Sequence, residues 1–582
     1  MSRLRSTLAI IWRLAHPYFF SEDRWVGRSL LAAVITIELS IVGINVMINQ
    51  WNNRFYNALQ ERNWDTFVSE LLFFCALATA YILLAVYQLY LNQWLQIRWR
   101  RWMTRHYLDK WLGGANHYRM QLLGDAADNP DQRLTEDINL FVDRTLALGI
   151  GLLSAIVTLG SFVMILWALS ATAPLELFGT TVSIPGYLVW AALLYAVVGT
   201  TLTHIIGWPL VALNFRQQRF EADFRFNLVR VRESSEQIAL LAGETAERDR
   251  LLDRFGRVVA NWMLIMQRTK RLTFLTASYA QISVVFPFVV VSPAYFAGAV
   301  QLGGLMQAAS AFNSVQTALS FFVTAYRQLA EWRAVVARLD GFEIAAETAR
   351  TATTAMPAIE VVPNGGRDAV EIDDLLVRLP QGAPLVAADD IIVAAGERVL
   401  VTGPSGSGKS TLFRAIAGIW PFGTGAIVVP KGARLMALPQ RPYFPVGTLA
   451  AAVTYPAEPG TFNAEALAEA ITAVGLAALA DRLDEEAHWN RMLSLGEQQR
   501  LGIARAILQA PDYLLLDEAT ASLDEPSEAD LYQLLAERLP RATVVSIGHR
   551  STLSAFHRRG LVLIREGDRY RVRERALEQA AT

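Results

Sequence analysis

The sequence predicts a chain of two parts, an α-helical membrane-spanning domain of six helices followed by an α/β domain with a mainly parallel sheet. Three observations predict it. Of 582 residues, 53% are hydrophobic and only 18% charged, which is too apolar for an ordinary soluble enzyme and long enough for two or more domains. Stretches of about 20 apolar residues, the length that crosses a bilayer core, recur six times before residue 330 and not after it. From Val370 onward, short strand-like runs alternate with helical segments, the order that builds a parallel sheet covered by helices.

A net charge of −1 excludes nucleic acid as a partner, because proteins that bind it carry a basic excess. Cys75 is the single cysteine. It can form no intrachain disulfide, and its place inside an apolar run predicts a buried small residue.

Residues 1–28 combine Arg3, Arg5 and Arg13 with Leu8, Ile11, Trp12 and Tyr18-Phe19-Phe20, an amphipathic segment suited to lying along a membrane surface. Arg13 and His16-Pro17 break its apolar run and no small-residue cleavage site follows, so it is expected to be retained. The predicted spans lie near 29–49, 70–92, 146–169, 186–208, 273–297 and 303–325, within a membrane domain over 29–335. Long arginine-rich loops join spans two to three and four to five, whereas 170–184 and 298–302 contain no Lys or Arg. The positive-inside rule then predicts that the N-terminus, both long loops and the C-terminal half are cytoplasmic. Helical patterning in these loops predicts that the membrane helices continue beyond the bilayer as stalks.

Two polar features stand out inside the spans. Glu38, near the middle of the first, is the only acidic residue deep in a membrane segment, which points to a cargo contact, a proton site or a buried partner such as His204. In the sixth, Gln307, Ser310, Asn313 with Ser314, Thr317 and Ser320 recur three or four apart and so share one helix face. Polar groups facing lipid are unfavourable, so this face lines a water-filled cavity or makes interhelical hydrogen bonds, and hydrophilic cargo requires the first.

Ala, Thr, Pro and Gly dominate the region that ends in Thr351 to Gly366, which predicts a linker over 336–369 ahead of a nucleotide-binding domain over 370–582. Gly403-Pro404-Ser405-Gly406-Ser407-Gly408-Lys409-Ser410 is a complete P-loop, between the strand Arg398–Val401 and a helix from Ser410, with Thr411 in that helix's first turn. Its glycines let backbone N–H groups converge on phosphate, Lys409 neutralises the β- and γ-phosphates, and the Ser410 hydroxyl can ligate Mg²⁺. Tyr513 to Leu516 is a buried strand ending in Asp517 and Glu518, an arrangement in which the first carboxylate organises Mg²⁺ and the second acts as general base.

At Leu493-Ser494-Leu495-Gly496-Glu497-Gln498-Gln499-Arg500 the chain resembles the signature sequence of the ATP-binding cassette (ABC) transporters. That resemblance implies an ABC exporter-like membrane fold, ATP and Mg²⁺ as cofactors, and an ATPase coupled to transport. It also implies Gln440 as the Q-loop residue that senses Mg²⁺, Ser522-Leu523-Asp524 as the D-loop, and His549 as the switch histidine after the strand Thr543–Ile547. Ser494, Gly496 and Gln498 would then bind ATP. In this family the phosphate they meet belongs to ATP held by the other subunit, so one cassette per chain implies a homodimer in the bilayer. Many relatives place an aromatic ring on adenine ahead of the P-loop; here Leu376-Val377-Arg378-Leu379-Pro380 has none, leaving Leu379 as a less directional substitute.

Trp51 to Gln60, Asn129 to Leu134 and Glu221 to Arg225 resemble the SbmA/BacA group of bacterial membrane proteins, whose ATPase-fused branch is also similar to peroxisomal fatty-acyl half-transporters. This resemblance implies a bacterial inner-membrane protein that takes up peptides, antimicrobial-type peptides included, with cobalamin and lipid or fatty acyl-CoA as the alternatives. An ATP-gated channel or regulator is the rival from another class; Glu518 and His549, needed for hydrolysis, argue against it.

Overall fold

The computed structural model of the chain describes residues 2–124, 129–172, 175–177, 180–182, 184–352, 358–364 and 368–576. They fall into two compact units, Met1–Tyr107 with Asn129–Asp340, and Leu108–Asp128 with Gly341–Thr582.

The longer helices up to Thr351, in chain order, are α1 (Ser2–Phe19), α2 (Arg24–Gln60), α3 (Trp64–Leu112), α4 (Asn116–Leu123), α5 (Ile138–Thr172), α6 (Tyr187–Glu233), α7 (Ser235–Leu240), α8 (Glu244–Phe296) and α9 (Leu302–Thr351). The predicted spans fall in α2, α3, α5, α6, α8 and α9. Among the described residues the first five of these are long and apolar enough to cross a membrane; in α9 the side chains of 322–324, 326–327 and 330 lie outside the described set. With 47 residues, α6 extends about 70 Å, more than twice a hydrocarbon core of about 30 Å. The predicted stalks are therefore continuous helix. Between α5 and α6, the β-branched run Thr180–Val182 pairs antiparallel with Leu175–Leu177.

Several expectations are corrected here. Within the segment 1–28, Tyr18 of α1 is fully buried and stacks on Trp99 of α3 at 5.5 Å, and residues 24–28 already belong to α2. Cys75 is exposed, beside the exposed Leu71, Leu72 and Phe73, because an apolar run in a membrane helix can face lipid as well as protein. Glu38 accepts a hydrogen bond from Gln88 of α3, so its partner is an amide and not His204, whose ring lies 5.3 Å from Trp208. The predicted linker is helical through Thr351, Ala being the best helix former. The rest of it includes 353–357 and 365–367, outside the described residues, and a strand that already belongs to the ATPase sheet.

That sheet has eleven strands. In chain order those used below are β1 (Glu360–Asn364), β2 (Ala369–Arg378), β3 (Pro384–Ala388), β4 (Ile391–Ala394), β5 (Arg398–Thr402), β6 (Gly423–Pro430), β7 (Leu435–Leu438), β8 (Tyr513–Asp517), β9 (Thr543–Ile547), β10 (Arg559–Glu566) and β11 (Arg569–Arg575). The run β7-β8-β9-β5-β10 is parallel. The flank is not: β2 pairs antiparallel with β3, β4 and β6, and β10 with β11. "Mainly parallel" thus holds for the strands around the P-loop, and the sheet as a whole is mixed. Buried on both faces, β8 sends Leu514 and Leu516 into one core and Tyr513 and Leu515 into the other.

Candidate nucleotide-binding site

The P-loop connects β5 to helix α10 (Lys409–Ile416), with Pro404, Ser405 and Gly406 exposed at its tip. Gly408 has φ 91°, and a Cβ there would meet Val386 and Leu385 of β3 at 2.5 and 2.9 Å, so only glycine lets the loop close against the sheet. Lys409 is buried, and its Nζ donates to the carbonyls of Gly403 and Pro404 at 3.0 and 2.9 Å. Burial pushes its pKa down, against the charges of Glu518 and Asp517. The Ser407 hydroxyl is fully buried without a partner, and buried polar groups normally have one. A spare donor, a glycine-lined cradle, a cation and a helix N-terminus together fit a phosphate chain.

The Ser410 hydroxyl, beside Thr411 in the first turn of α10, donates to Asp517 Oδ1 at 2.8 Å. Burial raises the pKa of Asp517, and the Ser410 hydrogen bond offsets part of that. A hydroxyl and a carboxylate so joined form a donor set that can hold Mg²⁺. Glu518 follows in the left-handed region at φ 52°, a conformation unfavourable for non-glycine residues and concentrated at functional sites. Its amide donates to Ile547 O of β9 at 3.2 Å, and its carboxylate lies 3.3 Å from His549 Nε2. The fold therefore gathers Lys409, Ser410, Asp517, Glu518 and His549, as the sequence motifs require.

Ser494 caps helix α11 (Leu495–Gln509) in a reciprocal capping box with Glu497. It is exposed at the helix start. Gly496 packs against the D-loop, where a Cβ would reach Leu523 at 3.2 Å. Gln498 does not face this end. It is buried, its amide donating to Asn490 O and Leu493 O at 3.0 and 2.8 Å, so the expectation that it binds nucleotide gives way to one of holding the approach to α11.

The neighbouring Gln499 is the residue the motif reading missed. Its buried amide donates to Gln440 O at 2.9 Å and Glu518 O at 3.5 Å, and its oxygen accepts from the Ser522 amide at 3.0 Å. One side chain thus ties together the segments of the Q-loop, the strand-end carboxylate and the D-loop. The signal was available: a polar residue on the face of α11 that also buries Gly502, Ile503 and Ala506 must have internal partners. Gln440 itself is exposed. Leu379 stands partly exposed in the hairpin between β2 and β3.

A phosphate-binding α/β domain on one chain with helices long enough to cross a membrane defines the class, a multi-pass membrane ATPase coupled to transport. The chain belongs to the ABC transporter family, in the form that fuses transmembrane and ATPase domains. The family model for ABC transporter transmembrane region 2 matches residues 14–296, and the ABC transporter model matches 388–521. The inner membrane ABC transporter ATP-binding protein YddA of Escherichia coli is 34% identical over 94% of this chain and 96% of its own. The lysosomal cobalamin transporter ABCD4 of Homo sapiens is 24% identical over 94% of this chain and 92% of its own. A bacterial Atm1-family ABC exporter solved with ATP bound shares the fold, with TM-score 0.74 over 94% of this chain and 95% of that one at 19% identity.

Proposed function

We propose that two copies of this chain form an ATP-driven transporter of a hydrophilic, amide-rich cargo, with peptides as the first candidate, taken up across a bacterial inner membrane. The polar face of α9 carries this reading. Asn313 and Thr317 are exposed on it, and at its outer end Gln307 Oε1 accepts from Asn53 of α2 at 2.7 Å. Side-chain amides and hydroxyls in that row can bind the amides of a cargo and are unfavourable against lipid. A relative named as a cobalamin transporter favours cobalamin, which also bears amides, as the second reading.

In each cycle Lys409 and the P-loop amides hold the phosphates, and Glu518, oriented by His549, takes the proton of the attacking water. Ser410 and Asp517 would hold Mg²⁺, which would supply neutralisation of phosphate charge. The exposed Ser494 and the half-buried Gly496 complete the site of the second copy. Leu240 and Leu241, 79% and 81% exposed at the tip of the α6–α7–α8 arm, give that copy an apolar contact. ATP-driven closure and reopening of this dimer would alternate access to the cavity.

Reconstitution into vesicles with ATP on the ATPase side, following labelled peptide, cobalamin and acyl-CoA in parallel, tests the cargo. ATP-dependent movement of peptide is expected, and replacing Asn313 by Leu together with Thr317 by Val should lower it about tenfold, the loss of one or two hydrogen bonds. Movement of acyl-CoA alone would refute a hydrophilic cargo.

A further inference from the structure

We propose that the groove between α6 and α8, just beyond their apolar stretches, binds the phosphate of an anionic phospholipid headgroup. A cavity of about 350 Å³ there is lined by Arg216 of α6 and Arg268 and Arg271 of α8, with Gln267 beside them and Leu213 and Leu264 as apolar walls. Among the described residues, no carboxylate lines it. Of the acids farther along the helices, Glu221 accepts from Gln217 at 2.9 Å and Asp253 pairs with Arg257 at 3.1 Å. Three guanidiniums converging on one cavity repel one another unless an anion joins them, and planar guanidinium forks match phosphate oxygens.

Two further observations make this a site and not a loose basic patch. Buried Asn261 of α8 donates to Leu213 O and Gln217 Oε1 of α6 at 3.0 and 2.9 Å, which fixes the two helices in register beside the cavity. Its depth also suits a lipid. The predicted span in α6 ends at 208 and the one in α8 begins at 273, so the arginines sit where headgroups lie. Ile205 and Trp208, 63% and 57% exposed just inside that boundary, give the acyl chains an apolar surface to follow.

The full-length chain in nanodiscs of phosphatidylcholine, with or without a minority of phosphatidylglycerol, tests this by native mass spectrometry of retained lipid. The wild type should keep phosphatidylglycerol in preference to phosphatidylcholine. The variant with Arg216, Arg268 and Arg271 all changed to Gln should lose that preference by about a hundredfold, each arginine near a membrane contributing about fivefold. Lys270→Gln, an exposed cation beside but not lining the cavity, should keep it, and an unchanged melting temperature verifies that the triple variant is folded. The proposal falls if the triple variant retains phosphatidylglycerol like the wild type, or if Lys270→Gln loses as much. It also falls if inorganic phosphate or glycerol phosphate displaces the lipid at equal concentration, since the site would then be one for soluble phosphate.

Discussion

Glu518 sits at the strained end of β8 with His549 on one side and Asp517 on the other, and three residue-scale predictions concern this neighbourhood. Glu518→Gln removes the proton acceptor but not the phosphate cradle, so ATP binding should persist while hydrolysis falls about 10²- to 10⁴-fold, measured by nucleotide binding and phosphate release on the same sample. Gln499→Leu should lower kcat about tenfold to a hundredfold with ATP affinity little changed, because it loosens the segments that carry Gln440, Glu518 and Ser522 without touching the P-loop. A comparable loss of ATP affinity would make Gln499 merely structural. The third prediction follows from burial. Since Asp517 has its pKa raised by desolvation, its ionised form opposes folding at neutral pH, and that penalty fades as pH falls through the raised pKa. Asp517→Asn should therefore melt about 1–2 °C higher without Mg²⁺ at neutral pH, while losing hydrolysis. The difference should narrow as the buffer is acidified.

At the scale of elements, α2 and α9 are tied together by several hydrogen bonds. Asn57 Oδ1 and Gln60 Oε1 of α2 accept from the backbone amides of Gly303 and Leu302 at 2.8 and 2.7 Å, so one helix caps the free donors of the other. Asn49 Nδ2 adds a bond to Gln307 O at 3.0 Å. Gly303 is required because a Cβ there would run into the Asn53 carbonyl. Gly303→Ala should lower stability by about 1–3 kcal/mol, read as a lower detergent melting temperature, and a neutral result would mean that this contact opens readily. This pairing was only half legible in sequence: the polar stripe of α9 was, but not that its N-terminal end is committed to Asn53 and Asn49. Periodicity assigns a face to a helix and does not choose between water and a neighbour for it. Motifs with fixed spacing read better. The P-loop and the carboxylates of β8 were legible because phosphate chemistry dictates both residue and order, whereas Gln498 and Gln499 could be told apart only by which one the helix turns toward the D-loop. The antiparallel flank of the sheet was hidden for another reason, since it depends on partners distant in sequence.

At the scale of the whole molecule, the proposed sharing of each site between two copies predicts a particular complementation. Lys409→Ala and Ser494→Ala should each depress the ATPase when all chains carry the change. Mixed dimers place both defects in one site and leave the other intact, so activity should reappear on co-expression, and its absence would argue against shared sites. A last consequence concerns assembly of the chain itself. The loop helix α4 belongs with the ATPase unit, and its Tyr118 and Leu122 pack against the core built around β5, β8 and β9. That core is translated long after α4 leaves the ribosome. The nascent chain must therefore hold an apolar patch without its partner surface while all the later spans are inserted, and it closes a very long loop only at the end. Folding of this molecule cannot proceed domain by domain along the chain; its ATPase unit stays unfinished until both separated segments exist, which ties completion of the soluble half to successful insertion of the membrane half.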